Sequence, residues 1–280
     1  MINKLKKLHQ LYKQERYKEN VQFLQNPKTG LSPADKERAL HYPDFTDGEV
    51  NFFGKPFRFS HGSSFIHSVD ELFEEEVYRF KSDIDNPYII DCGANIGLSI
   101  MYFKKLFPKS KILAFEPDEK IFNILKENIF TRNTFNDITI KKEAVWIDDT
   151  ELSFFSEGAL AGSSVVDFGK KNNVIKVQAI NLKKYLLEPV DFLKIDIEGA
   201  ENTVIFDIAN HLGNVKNLFL EYHGLLNEPQ NLGEILTLLK KQGFEYYIRV
   251  AGNTLKFPFC NETPSNFNQQ LNIFCYRKIY

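Results

Sequence analysis

The stretch Tyr88-Ile89-Ile90-Asp91-Cys92-Gly93-Ala94-Asn95-Ile96-Gly97 constrains the fold more than any other part of the chain. An apolar run ends in an acid and then meets two glycines four apart. Residues 98–107 are apolar enough for a packed helix, and Pro108 stops it. The order is therefore buried strand, tight turn, helix. Glycine carries no Cβ, so the backbone of such a turn can come close to a ligand. The helix start offers unpaired N–H groups. The acid can accept hydrogen bonds from an ammonium or a hydroxyl. The same pattern also serves as a plain strand-to-helix turn in any α/β protein, so taken alone it favours ligand binding only modestly.

The turn is not a phosphate loop, because no Gly-Lys-Ser/Thr closes it. It is not a nicotinamide fingerprint either, because Asn95 stands at the second glycine position. An acid-first D-x-G-A-N-x-G turn suits a ligand with a zwitterionic tail, and S-adenosylmethionine has one.

Strand and helix patterns alternate from here on. Strands are expected at 88–91, 111–115, 138–141, 151–155, 174–180, 191–196, 217–221, 244–250 and 271–276. Helices are expected at 98–107, 118–130, 182–187, 200–210 and 232–242. This alternation means a mostly parallel sheet with helices on both faces. The last two strands have no helix between them and suggest an antiparallel pair at an edge. Upstream, residues 1–20 read as a basic amphipathic helix, with Ile2, Leu5, Leu8, Leu11 and Tyr12 on its narrow apolar stripe. Residues 34–40 read as a helical turn, 48–60 as a small hairpin, and 69–80 as an acidic helix able to lie over the cleft. The expected division is an N-terminal helical and hairpin extension, 1–82, on the acceptor side, and a ligand-binding domain, 83–280. Residues 69–80 and the glycine-bearing loop 156–169 are candidate lids.

In an open α/β sheet, ligands bind beyond the carboxyl ends of the strands. Those ends here carry Asp91, Glu116, Glu143, Asp196 with Glu198, and Glu221 with His223. One acid at a strand end is ordinary; acid at five of them is a coherent polar rim. Glu116 stands just before Pro117 at a strand tip, where a carboxylate can accept from both hydroxyls of a ribose. Side chains two apart in a strand share a face, about 7 Å apart. Lys194, Asp196 and Glu198 lie together if that strand stays extended, as do Glu221 and His223. Such a group can hold a divalent metal, act as a general base with an orienting carboxylate, or form a salt-bridge network around Lys194. The spacing does not demand a metal, and no metal ligand is assigned.

The segments Asp91 to Gly97, Phe115-Glu116-Pro117, Leu193-Lys194-Ile195-Asp196-Ile197-Glu198-Gly199-Ala200-Glu201 and Glu221-Tyr222-His223 together resemble the FkbM family of methyltransferases. The resemblance runs over residues 86–223, and K-I-D-I-E-G-A-E is its most specific part. It implies a Rossmann-like seven-stranded sheet, S-adenosylmethionine as donor, and methylation of a hydroxyl on a sugar or secondary metabolite. It also implies that Asp91, Gly93, Ala94, Asn95 and Gly97 take the methionine part of the donor, and that Glu116 takes the ribose. By the same resemblance Glu143, Ala144 and Val145 lie at the adenine, and Asp196 lies at the strand end nearest the methyl. An alcohol needs its proton removed as the new bond forms. His223 or Glu198 is the expected base, with Asp196 or Glu221 orienting it.

Rival readings are a nucleotide-binding oxidoreductase on the same sheet, a non-catalytic binding protein of this fold, and a metal-dependent hydrolase that leaves the first turn unexplained. A net charge of −2 provides no basic field for nucleic acid. No apolar run reaches about 18 residues, so no transmembrane span is expected. The basic N-terminal helix leaves peripheral membrane contact open. Cys92, Cys260 and Cys275 cannot all pair within one chain and form no C-x-x-C, which fits a reducing cytoplasm. The expected partner is a small-molecule or glycan acceptor. The sequence does not give the oligomeric state.

Overall fold

A computed structural model describes residues 24–131, 136–156, 162–163, 174–226, 228–260, 262 and 267–278. The expected helix over 1–20 and most of the expected loop 156–169 lie outside these residues. The chain divides into two compact units between Val77 and Tyr78.

The first unit holds α1 (Pro33–Leu40), the antiparallel hairpin β1 (Gly48–Phe52) and β2 (Lys55–Phe59), and α2 (Gly62–Val69). The period-two pattern of the hairpin turns Phe52, Phe57 and Phe59 to one buried face, against Phe65 and Phe73. Burying each such ring contributes about 1.5–3 kcal/mol before ordering costs. The acidic helix expected over 69–80 is not one helix. Helix α2 ends at Val69, Asp70–Glu74 continues as a single π-helical turn, and Glu76 takes a positive φ of 55°. The apolar residues of this segment are real core positions, but they serve a turn rather than a helical stripe.

The second unit runs β3 (Tyr88–Cys92), α3 (Leu98–Leu106), β4 (Lys111–Phe115), α4 (Glu119–Phe130), β5 (Ile138–Lys141), β6 (Ala144–Trp146), β7 (Thr150–Ser156), β8 (Gly162–Ser163), β9 (Val174–Asn181), β10 (Val190–Ile195), α5 (Glu201–Asp207), β11 (Val215–Leu225), α6 (Leu232–Lys241), β12 (Glu245–Val250) and β13 (Phe267–Tyr276). Its main sheet has seven strands in the order β12-β13-β11-β10-β3-β4-β5. The neighbours from β11 to β5 are parallel, and β13 is antiparallel to both β11 and β12. The fold is thus the α/β, Rossmann-like, mostly parallel sheet the sequence implies. The last two strands form the antiparallel pair expected at an edge, with β12 outermost and β13 set between β12 and β11.

The central strands β3 and β10 are buried almost throughout, as expected of strands covered on both faces. Their Ile90, Cys92, Leu193 and Ile195 join one core with Leu113, Phe115, Leu220 and Ile273. The strands expected at 151–155 and 174–180 do not join this sheet. With β6 they form a separate four-stranded sheet, β6-β9-β7-β8. No helix among the described residues is long and apolar enough to cross a membrane.

Candidate functional site

The register of the parallel ladder sets the site. Asp91 pairs with Ala114 on one side and Lys194 on the other, and Lys194 pairs with Phe219. The carboxyl ends of β3, β4 and β10 are therefore level, β11 runs on past them, and the residues there converge on one rim.

At β3 the chain leaves the sheet through Gly93 (φ 90°), Asn95 (φ 46°) and Gly97 (φ 94°), and α3 begins at Leu98. A Cβ on Gly93 would stand 2.0 Å from the Asp196 carbonyl oxygen, and one on Gly97 2.7 Å from Leu125 Cδ1. These glycines are thus required by the turn's own packing against β10 and α4 as well as by its left-handed backbone. The Gly93 and Ala94 N–H groups donate to the Phe115 carbonyl at 3.1 and 2.9 Å.

Glu116, one residue past β4, is locked to this turn. Its Oε2 accepts from the Asn95 N–H at 3.0 Å and its Oε1 from the Asp118 N–H at 2.9 Å. Burial pushes its carboxyl up to about 8, against the pull of those N–H groups and of Lys194, and with the nearby Asp118 charge adding to the rise. A carboxylate has about four lone-pair sites, so two remain for a diol.

Asp91 is fully buried. Its Oδ2 accepts from Ser99 Oγ at 2.5 Å, while Oδ1 has no hydrogen bond and lies 3.4 Å from Lys194 Nζ. The same ammonium donates to the Gly93 carbonyl at 2.8 Å and pairs with Asp196 Oδ2 at 3.2 Å. Burial works against the charge on Lys194. The Asp196 and Asp91 carboxylates outweigh it and hold the ammonium well above the ordinary lysine range.

Asp196 follows β10 directly. The strand does not stay extended to Glu198, as the period-two reading assumed. It ends at Ile195, and Glu198 (φ 54°) and Gly199 (φ 99°) turn the chain into α5. That turn carries Glu198 Oε2 to 3.4 Å from His223 Nε2. Strand β11 does stay extended, and it runs past its pairing with β10 to Leu225, held by β13. Glu221 and His223 share a face there, with Glu221 Oε1 3.7 Å from His223 Nε2. Oxygen or nitrogen atoms of Asp196, Glu221 and His223 all lie within 4.8 Å of one another.

His223 is fully buried, and Glu201, also fully buried, clamps it. Glu201 Oε1 accepts from the His223 backbone N–H at 2.9 Å and lies 3.0 Å from its Nδ1, while Oε2 accepts from the Gly199 N–H at 2.8 Å. From β13, Gln270 Nε2 donates to Glu221 Oε1 at 2.6 Å and lies 3.3 Å from His223 Nε2. Burial alone would lower the imidazole. Glu201, Glu198 and Glu221 reverse that and raise it to about 10. Burial, with Asp196 and Glu198 adding like charge, lifts Glu221 to about 8, while His223 and Gln270 pull the other way.

The structure thus brings together Asp196, Glu198, Glu221 and His223, and links Asp91 to Asp196 through Lys194 and Asn95 to Glu116 directly. Glu143 stands at the tip of β5, 3.4 Å from Lys141 Nζ, and Lys141 O accepts from the Glu116 N–H at 3.0 Å. Ala144 and Val145 are buried and pair with Ala179 and Ile180 in the small sheet. Sequence reasoning missed Glu201, Ser99 and Gln270 as members of the site. Glu201 had a signal, as the second acid of E-G-A-E, and Ser99 sits two residues past Gly97. Gln270 had none, since only the insertion of β13 brings it here.

Comparison with known proteins adds the family. The Methyltransferase FkbM domain model matches residues 91–246, a span that holds every site residue above except Gln270. "Methyltransferase sdnD" of Sordaria araneosa is 26% identical over 211 residues, 62% of this chain and 80% of that protein. "Methyltransferase 1" of Beauveria bassiana (strain ARSEF 2860) is 27% identical over 205 residues, 64% of this chain and 80% of that one. A crystal structure of Methyltransferase FkbM from Methylobacillus flagellatus KT is similar at 16% identity and a TM-score of 0.46, over 72% of this chain and 46% of that one. With a domain model matched over more than half its length, the chain belongs to the FkbM methyltransferase family.

Proposed function

We propose that the chain uses S-adenosylmethionine to methylate a hydroxyl oxygen, of a sugar in a glycan or of a secondary metabolite. The observation that carries this reading is the Lys194 bridge. One buried ammonium joins Asp91, under the first turn, to Asp196, at the edge of the carboxylate and histidine group. A donor turn and a proton-accepting group on adjacent strand ends are what O-methylation needs.

The donor fits the residues present. Two cationic centres, a sulfonium and an ammonium, suit a rim whose carboxylates outnumber Lys194 and His223. Glu116 is held rigidly with lone pairs to spare for a ribose, and the buried Asp91, whose Oδ1 accepts no hydrogen bond, is proposed with the 93–97 turn at the methionine side. Glu143, Ala144 and Val145 are proposed at the adenine. S-adenosylmethionine supplies a methyl group already electrophilic on its sulfonium. The chain's own task is to hold the acceptor oxygen in line, which is mainly positioning, and to take its proton. His223 is not free to do so, because its Nδ1 faces Glu201 and its proton is held by carboxylates on both sides. Glu198 takes the proton, with Asp196 and Glu221 orienting the hydroxyl.

Calorimetric titration with S-adenosylmethionine, its demethylated product and NADH tests the donor. Micromolar binding of the first two, weakened at least tenfold in Glu116→Gln of unchanged circular dichroism, is the expected result. Binding of NADH alone would replace this reading with the oxidoreductase one. Glu198→Gln is expected to lower turnover at least a hundredfold with donor affinity unchanged; full turnover in that variant would remove Glu198 as the base.

A further inference from the structure

The carboxylate and histidine group has more negative charge than its own cations neutralise. Asp196, Glu198, Glu201 and Glu221 surround one imidazole. Asp196 shares the Lys194 ammonium with Asp91, and Glu201 and Glu221 both lie against the same imidazole. Like charges this close are costly to hold in a poorly solvated place. A fold keeps them together at least cost when a cation belongs between them.

The ligand atoms have the arrangement a cation needs. Metal–oxygen and metal–nitrogen bonds of about 2.0–2.2 Å put neighbouring ligand atoms about 3–4 Å apart. His223 Nε2 lies 3.7 Å from Glu221 Oε1, and Asp196 completes a triangle with no side longer than 4.8 Å. The second ring nitrogen supplies an independent mark. Its partner Glu201 is fully buried, touches Nδ1 at 3.0 Å and is fixed from the far side by the Gly199 N–H. This is the carboxylate–histidine pairing that orients imidazoles toward metals. Here it leaves Nε2 facing Glu198 and Glu221. The backbone turn through Glu198 and Gly199 is the part of the chain that Glu201 braces.

We infer that Asp196, Glu221 and His223 form a binding site for a divalent cation, with Glu201 as the residue that positions His223. Two carboxylates to one imidazole, with no sulfur ligand among them, select a hard or borderline ion such as Mn2+ or Mg2+ over a soft one. The site stands on geometry and charge and does not depend on the donor reading. Its catalytic use does depend on that reading: a cation held there would meet the acceptor oxygen and make its proton easier for the adjacent Glu198 to take. Gln270, bonded to Glu221 Oε1, is the residue that must yield to admit the ion.

The test is Mn2+ titration of chelator-treated full-length chain, following loss of the free-ion electron paramagnetic resonance signal, with S-adenosylmethionine calorimetry on the same sample. One Mn2+ per chain is expected. Affinity should fall at least tenfold in Asp196→Asn and in Glu221→Gln, and about 10–100-fold in Glu201→Gln. It should be unchanged in Glu116→Gln, which lies outside the triangle. Wild-type chain that leaves the free Mn2+ signal undiminished at millimolar concentration overturns the site. So does binding that survives both Asp196→Asn and Glu221→Gln. If S-adenosylmethionine binds and Mn2+ does not, the cation site falls and the methyltransferase reading stands. If Mn2+ binds as described and S-adenosylmethionine does not, the reverse holds.

Discussion

Two buried basic side chains sit at the rim, and they are held differently. Lys194 is enclosed by Asp91, Asp196 and the Gly93 carbonyl, and its ammonium ties β3, β10 and the first turn together. His223 is enclosed by Glu198, Glu201 and Glu221, on an overhanging strand, with Gln270 and the Phe267 ring packed beside it. A lysine carries its own charge permanently and acts as a brace. A histidine carries a charge that can leave, so the carboxylates around it form a place as well as a bond. The difference teaches that one half of this rim is built as a scaffold and the other half, on the proposed function, serves the chemistry, although both look in sequence like acids at strand ends.

The largest effect should come from the brace. Lys194→Met removes the cation and leaves the fully buried Asp91 carboxylate with no countercharge, which costs about 3–5 kcal/mol, read by denaturant unfolding. A loss under about 1 kcal/mol would show that Lys194 does not hold the scaffold. Ser99→Ala removes a charge-assisted bond to the same carboxylate and should cost about 1.5–3 kcal/mol.

The chemical half should show itself in pH. His223, Glu221 and Glu116 all have folded values above their unfolded ones, at about 10, 8 and 8. The folded state therefore binds more protons, and stability must fall as pH rises. The carboxyl contributions are present below about 4.5 and lost by about 8, while that of His223 is present below about 6.5 and lost by about 10. Unfolding measured from pH 5 to 10 should show this decline, and Glu201→Gln should flatten its upper part by lowering the imidazole. A flat profile in the parent chain would mean that His223 is neutral in the fold. The smallest effect sets the floor of the scale. Lys109→Ala, which breaks an exposed pair with Asp85, should change stability by less than about 1 kcal/mol.

Much of the scaffold is legible in the sequence because it depends on local pattern. The continuous apolar runs of β3 and β10, the two glycines and Pro108 fix strand, turn and helix without tertiary help. Glu221 and His223 fall on one face by strand period alone. Glu198 is not reachable that way. Its position comes from a left-handed turn that no spacing rule supplies, and Glu201 follows from the same turn. Of the small sheet, β7 and β9 are visible in the sequence as strands, whereas β6 and β8 are not, and their union in a separate sheet is a long-range choice of pairing. The acidic segment at 69–80 shows the converse failure. Its apolar residues recur at near-helical intervals, yet a π-helical turn and a positive φ at Glu76 bury them.

The strand β13 has a consequence for how the molecule comes to exist. It is the later partner of β11, and Gln270 follows His223 by 47 residues. During synthesis the chain emerges at about 5–20 residues per second. For seconds, then, the overhang carrying Glu221 and His223 presents a bare strand edge to the cell. A nascent chain stalled in that interval would have its first turn assembled and its acidic wall open. Such a species is prone to edge-to-edge pairing and should be the one that chaperones meet.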